Sequence, residues 1–361
     1  MIFLSRPAAA DPCDDLRDPE PRIVACTQSI NSGKWKGHNQ AINYNNRGVA
    51  YKNKGDYDGA IADYNQAISL DPKYSAAYDN RGVAYKNKGD YDRAIADYSQ
   101  AISFNPKNAA AYYNRAIAYR LKGDFDRSIA DNNEAIRLDP NDPDAYYNRG
   151  ISYRNKGDID RAIADYNEAI RLNPKDPDFY NNRAYAYRIK GDIDRAIADY
   201  SEAIRLAPNN DIFYSRRGRA YFYSGNPAKA FADMNQATEL DPTDAYEALW
   251  LEIIGQRGSI PGRLPLAISK IDMTKWPAPV IRLYLGQMTP AAVLAAADDR
   301  DAARKKSQVC QANFFSGELS LAKGSKDEAI RLFRLAVSEC PHDDVEWSAA
   351  DSELKALGVA P

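Results

Sequence analysis

The sequence predicts an all-α protein built as a superhelical solenoid, and three observations carry that expectation. A unit of 34 residues recurs six times between residues 41 and 244, marked by Asn46-Arg47, Asn80-Arg81, Asn114-Arg115, Asn148-Arg149, Asn182-Arg183 and Arg216-Arg217. Gly55, Gly89, Gly123, Gly157, Gly191 and Gly225 keep the same step. So do Pro72, Pro106, Pro140, Pro174, Pro208 and Pro242. A glycine and a proline at fixed offsets divide each unit into two helices, and helical hairpins of this kind bury a continuous core only by stacking.

The second unit, Tyr78 to Pro106, shows the logic. Its first helix runs from near Tyr78 to Lys88 and stops at Gly89, a residue suited to a left-handed C-terminal cap. Its second helix runs from Tyr91 to Phe104 and is closed by Asn105-Pro106, because proline cannot continue a helix and biases the residue before it away from one. Tyr78, Gly82 and Tyr85 face Ala94, Tyr98 and Ala101, so small residues allow close approach while rings fill the gaps. That alternation accounts for the 25 tyrosines.

Tyr78-x2-Arg81-Gly82-x2-Tyr85, Ala94-x3-Tyr98 and Pro106 resemble the tetratricopeptide repeat (TPR), with Tyr in place of the usual Trp and Phe. The resemblance covers residues 41–244 and implies a right-handed TPR superhelical solenoid whose first helices line the concave face, a surface that binds partner peptides or proteins. The third unit departs from the pattern at Ser128 and Asn132, where Ala and an aromatic are expected, and weaker local packing is expected there. Residues 11–40 read as an N-terminal half-repeat cap, since "PRIVACTQSI" aligns with the second helix "RAIADYSQAI". Residues 245–309 form a diverged helical region. Residues 310–343 read as a diverged repeat through Gly317, Gly324, Ala329, Phe333, Ala336 and Pro341, and 344–361 as a capping helix.

Four cysteines form two local pairs, Cys13 with Cys26 and Cys310 with Cys340. The long stretch between the pairs favours local disulfides, and the ends of a helical hairpin return to one another. Four buried thiols of a cytosolic protein are the alternative. None lies in a C-x-x-C, which argues against a metal knuckle, and no metal or other cofactor is expected. Residues 1–10 end in Pro7-Ala8-Ala9-Ala10 like the small-residue end of an export signal, although a charged start and full apolar core are missing. Periplasmic or secreted location is therefore expected, with the cytoplasm as runner-up. No apolar run is long enough for a transmembrane segment.

With 48 basic and 50 acidic residues, the net charge of −2 gives no general pull toward nucleic acid. Charge is instead placed with the repeat. Where the family pattern has Leu stand Arg47, Arg81, Arg115, Arg149, Arg183 and Arg217, and the second helices carry Asp63, Asp97, Asp131, Asp165, Asp199 and Asp233. Arg81 lies eight residues before Gly89 and Asp97 eight after, so an antiparallel hairpin sets them level. A structural ladder and an array of ligand-gripping arginines are the two readings.

A second row, expected on the concave face, is basic five times: Lys52, Lys86, Arg120, Arg154 and Arg188. Asn53, Asn87 and Asn155 follow it, with Leu121 and Ile189 in the same slot. Tyr113, Tyr147 and Asn181 occupy the slot two residues before the ladder arginines. Together they form a candidate partner-binding groove with amides for a peptide backbone and aromatic anchors. Solvation of the helix ends and balance of their dipoles is the competing explanation. The chain carries two histidines, His38 and His342, no phosphate-binding glycine loop and no nucleophile elbow, so no enzyme is expected.

The C-terminal part resembles NlpI-type envelope TPR lipoproteins through Leu249–Leu251 around Trp250, Trp276 followed by Tyr284-Leu285-Gly286, the diverged repeat, and a closing helix ending in Leu357-Gly358. This resemblance implies a periplasmic adaptor bringing proteases or cell-wall hydrolases to substrates, often as a homodimer. A lipid anchor at Cys13 is doubtful because Pro12 precedes it. A cytosolic assembly or signalling scaffold, and an envelope oligomer with no separate client, remain the alternatives.

Overall fold

The structure, a computed structural model, describes Cys13, residues 18–341 and residues 345–360. The expected export-signal remnant at 1–10 and His342 lie outside the described residues. Among the described residues all regular structure is helical, and no helix is long and apolar enough to cross a membrane. The chain divides into two units, residues 1–175 and 176–361.

The first unit opens on helix Pro19–Asn31, joined to Cys13 by the Cys13–Cys26 disulfide, with Cα atoms 4.5 Å apart. Four hairpins follow: Gly37–Asn53 with Tyr57–Leu70, Ser75–Asn87 with Tyr91–Phe104, Ala109–Leu121 with Phe125–Leu138, and Pro143–Asn155 with Ile159–Leu172. Local chemistry sets each turn. Gly89 takes φ of +80°, a conformation that costs glycine little, and the Asp90 amide then donates back to the Tyr85 carbonyl at 2.9 Å. The Asp90 carboxylate accepts from the Arg93 amide at 3.1 Å and caps the next helix.

Close approach inside the second repeat is made at a second glycine, a slot that Ala184 fills opposite the buried Tyr200 in the fifth. A Cβ at Gly82 would lie 2.7 Å from Cε1 of Tyr98, so a side chain there would require the ring to shift. Ala94, Tyr98 and Ala118 form a small core backed by Val83, Tyr85 and Ile95, and the neighbouring repeat builds one from Ala60, Tyr64 and Ala84. Each repeat thus carries a few residues of core and borrows the rest from its neighbour.

The third repeat differs from its expected weakness. Ser128 and Asn132 are fully buried and joined to the fourth repeat by hydrogen bonds. Ser128 Oγ lies 2.8 Å from Ser152 Oγ, Asn132 Nδ2 donates to the Ser128 carbonyl at 3.0 Å, and Asn148 Nδ2 donates to Asn132 Oδ1 at 3.2 Å. Ala116 replaces the glycine opposite, matching a smaller side chain in place of the tyrosine. A polar network with its members bonded is compatible with burial.

The second unit contains hairpins Pro177–Ile189 with Ile193–Leu206 and Asp211–Tyr223 with Pro227–Leu240, followed by helix Ala245–Arg257. Short helices Leu264–Ala267, Ala278–Tyr284 and Pro290–Ala296 lead to Ala302–Ala322, Lys326–Glu339 and Val345–Ala356. Gly317 meets Phe333 as Gly82 meets Tyr98, with a Cβ there 2.7 Å from the ring. The Cys310–Cys340 disulfide closes this last hairpin with Cα atoms 4.8 Å apart. Its core is one large cluster around Trp250, Leu249, Phe314, Phe315 and Phe333.

Candidate functional site

Two rows of basic residues repeat along the first helices, and the structure gives them opposite surroundings. In the first row, Arg81 Nε and Nη2 donate to the two oxygens of Asp97 at 2.8 and 2.7 Å. The same two-pronged geometry joins Arg47 to Asp63, Arg115 to Asp131, Arg149 to Asp165, Arg183 to Asp199 and Arg217 to Asp233. The aspartates are buried and the arginines half-buried. Burial pushes the Asp165 carboxyl up against the opposing pull of Arg149.

The remaining arginine nitrogen reaches backward along the chain. Arg81 Nη1 donates to Asn65 Oδ1 at 2.6 Å, Arg115 to Ser99 at 2.9 Å, Arg149 to Asn133 at 2.7 Å and Arg217 to Ser201 at 3.0 Å. In the first repeat the partner is Thr27 of the cap helix, at 3.0 Å. Each of these arginines therefore clips its own hairpin to the second helix before it. The recurring polar slot Asn65, Ser99, Asn133, Asn167 and Ser201 keeps the 34-residue step and was the signal for this contact; the sequence reading passed over it. Tyr78 and Tyr85 lie 5.5 and 6.0 Å from the Arg81 guanidinium carbon and shelter it.

The second row is half-buried and differently partnered. Lys52 and Lys86 make no hydrogen bond or ion pair among the described residues. Burial pushes both ammonium groups down, and Asp79 pulls them back up. Asp79 is itself pushed up by burial while accepting from Asn114 Nδ2 at 3.4 Å. Arg120 Nε donates to Asn148 Oδ1 at 2.8 Å, and its pKa is lowered first by burial and also by the Arg154 charge. Arg154 donates to Asn155 at 3.3 Å. Lys52, Lys86, Arg120 and Arg154 feel one another in sequence, Lys86 sensing Lys52 and Arg120, and Arg120 sensing Arg154.

The amides divide. Asn53, Asn87 and Asn155 are exposed. Asn181 is 5% exposed and its Oδ1 accepts from Arg216 Nη1 at 2.9 Å, which withdraws it from the open face. Asn45, in the same slot, is likewise buried and accepts from Asn80 at 2.9 Å. This slot lies where one first helix meets the next, so an amide there bonds a neighbouring repeat. Tyr113 and Tyr147 occupy it half-buried. Burial pushes the Tyr113 hydroxyl up to about 12, and the Tyr147 ring packs on Tyr166 at 6.0 Å. Tyr64, Tyr98 and Tyr166 bury their hydroxyls beneath this face with no hydrogen-bond partner.

Models of the tetratricopeptide repeat match residues 41–74, 63–96, 80–143, 147–211 and 212–244. The chain belongs to the tetratricopeptide repeat family. A tetratricopeptide repeat protein from Parabacteroides merdae is similar in structure, with a TM-score of 0.52 at 19% identity over 65% of this chain and 92% of that one. PilF of Pseudomonas aeruginosa gives a TM-score of 0.51 at 18% identity over 57% and 94%. MamA is 29% identical over 44% of this chain and 93% of its own, with a TM-score of 0.42. Repeats of this family serve as protein-interaction scaffolds, and groups of His, Cys, Asp or Glu able to hold a metal ion are absent among the described residues.

Proposed function

We propose that this TPR protein is a non-enzymatic adaptor that holds partner proteins or peptides against the inner face of its first helices. The observation that carries this reading is the contrast between the two basic rows. The ladder arginines have their donors committed to the protein, whereas Lys52 and Lys86 keep theirs uncommitted in a half-buried setting. An unpaired, partly desolvated cation is unfavourable in a free protein and becomes favourable when a partner supplies its counter-charge.

The two disulfides favour an oxidising compartment, and with the C-terminal resemblance they support a periplasmic adaptor of the NlpI type, one that delivers proteases or cell-wall hydrolases to their substrates. Homodimer formation is part of that proposal. Two measurements test it. Thiol labelling of native protein should modify no cysteine until reductant is added; four reactive thiols would remove the periplasmic assignment. Retention of envelope proteins on immobilised protein should drop on Lys52→Ala with Lys86→Ala; unchanged retention would remove the groove from partner binding.

A further inference from the structure

Two slots of the first helices change character in the sixth repeat. Phe222 stands one step beyond Arg188 in the second basic row, and Tyr223 one step beyond Ile189 in the slot that follows it. Leu121 and Ile189 are 44% and 46% exposed, whereas Phe222 and Tyr223 pack against the C-terminal core and the Tyr223 hydroxyl is enclosed without a hydrogen-bond partner. Trp250 lies beside both rings, with centres 6.3 and 6.4 Å away. Helix Val345–Ala356 reaches the same place by two polar contacts. Arg188 Nη1 donates to Ser348 Oγ at 3.2 Å, and Arg257, whose guanidinium carbon lies 5.4 Å from the Phe222 ring, donates to Glu353 at 2.8 Å. The Tyr223 hydroxyl is pushed well up, by burial first and then by the Glu353 and Glu318 charges. The end of this inner face is thus covered from within the chain.

The covering helix is held by few and mixed anchors. Its buried side chains are Glu346, Ala349, Ala350, Glu353 and Leu354, so two acids stand where a permanent core helix buries apolar groups. Helix Ala302–Ala322, by contrast, sends Phe314, Phe315 and Leu319 into the same core. The charged tie is shared as well. Arg257 Nη2 serves Glu318 and Glu353 together, and the second Glu318 oxygen, Oε1, is buried with no partner. Each ladder arginine gives a two-pronged grip to one aspartate; Glu353 has part of one guanidinium group. The helix that comes before is fastened differently, by the Cys310–Cys340 disulfide. A weakly tied helix therefore follows a covalently closed hairpin.

We propose that helix Val345–Ala356 is an autoinhibitory cover, docked on the inner face of the fifth and sixth repeats through Arg188 and Arg257 and released as a unit to uncover Phe222 and Tyr223. This rests on the adaptor reading and gives it a closed state. The surface uncovered is aromatic, so it takes an apolar side chain of a partner. A partner that binds only the open form draws the helix off by mass action and needs no contact with the helix itself. Release also frees the Tyr223 hydroxyl to meet water, which offsets part of the cost of separating the helix.

Hydrogen exchange and hydroxyl-radical footprinting of the full chain test this. Residues 345–356 should exchange through a local opening, about tenfold or more faster than 302–322 and 326–339. Glu353→Gln keeps the shape and removes the charge that Arg257 holds, so it should speed that exchange by a further tenfold or so. Oxidation of Phe222 and Tyr223 should rise with it, while exchange in 302–322 stays as it was. Ser348→Ala, which removes only the contact with Arg188, should act in the same direction by about threefold. Exchange of 345–356 in step with 302–322 and 326–339 would make the helix a fixed part of the core and overturn the proposal. So would a Glu353→Gln effect spread equally over the three helices, or rings oxidised no more in that variant than in the unsubstituted chain. The lysine substitutions that test the adaptor reading leave this helix in place, so a helix that opens beside unchanged partner retention removes the adaptor and keeps the cover, and the reverse result removes the cover alone.

Discussion

The first four repeats and the C-terminal part of the second unit solve the same packing problem at different scales. In the repeats, three buried residues such as Ala94, Tyr98 and Ala118 serve each interface, and an arginine with three committed donors ties one hairpin to the last. Around Trp250, many aromatic and aliphatic side chains from several helices share one core. A repeated interface divides stability into small, equal portions; a shared core concentrates it. Substitutions should therefore have local consequences in the repeats and cooperative ones in the C-terminal part.

The largest effect is expected where the core is concentrated. Phe314 is fully buried and stacks near Trp250, Phe315 and Phe333, with ring centres 5.6, 5.1 and 6.1 Å away. Phe314→Ala should remove about 3–5 kcal/mol of stability. Hydrogen exchange should accelerate together across residues 245–257, 302–322 and 326–339. Acceleration confined to the mutated helix would mean this region behaves as another repeat.

Asp97→Ala comes next. It strands the half-buried Arg81 guanidinium, and breaking such a pair costs about 3 kcal/mol. Exchange should quicken in the second repeat and its immediate neighbours while residues 143–172 keep their protection. Uniform loss across the first unit would show the repeats to be more tightly coupled than their small interfaces imply. Gly82→Ala should cost less, about 1–3 kcal/mol, because the new methyl group meets the Tyr98 ring and the gain in helix propensity only partly offsets the clash.

How much of this was legible depends on whether a feature repeats. Gly89 and Pro106 announced two helices and a turn because six copies aligned, and spacing about Gly89 set Arg81 level with Asp97. Three things were hidden. Asn181 looked available because its slot is polar, but a slot between neighbouring first helices is consumed by contact, here with Arg216. Ser128 and Asn132 looked like defects because their partners, Ser152 and Asn148, lie a repeat away, and a serine at the slot of Ser152 occurs once. The docking of Ser348 on Arg188 spans 160 residues and follows from no periodicity.

The smallest effect tests the charge that the concentrated core has enclosed. Arg257 Nη2 donates to Glu318 and Glu353 at 2.8 Å each, so one cation serves two buried carboxyls. Burial, and next the Glu353 charge, push Glu318 up to about 8 despite Arg257. Unfolded, the same carboxyl has a pKa of about 4.3. Between these values the folded state binds the extra proton. Its stabilising contribution is complete below the unfolded value and is lost as pH rises through the folded one. Thermal unfolding of the second unit should therefore begin earlier at pH 9 than at pH 6, by a difference on the order of 1 kcal/mol. Glu318→Gln, which keeps the shape and removes the proton, should shrink that difference. The ladder of the first unit gives each arginine its own carboxylate, and its exchange protection should change less over the same range. An unaltered slope in the Gln variant would mean that the triad keeps both carboxylates ionised and that the enclosed charge is balanced elsewhere.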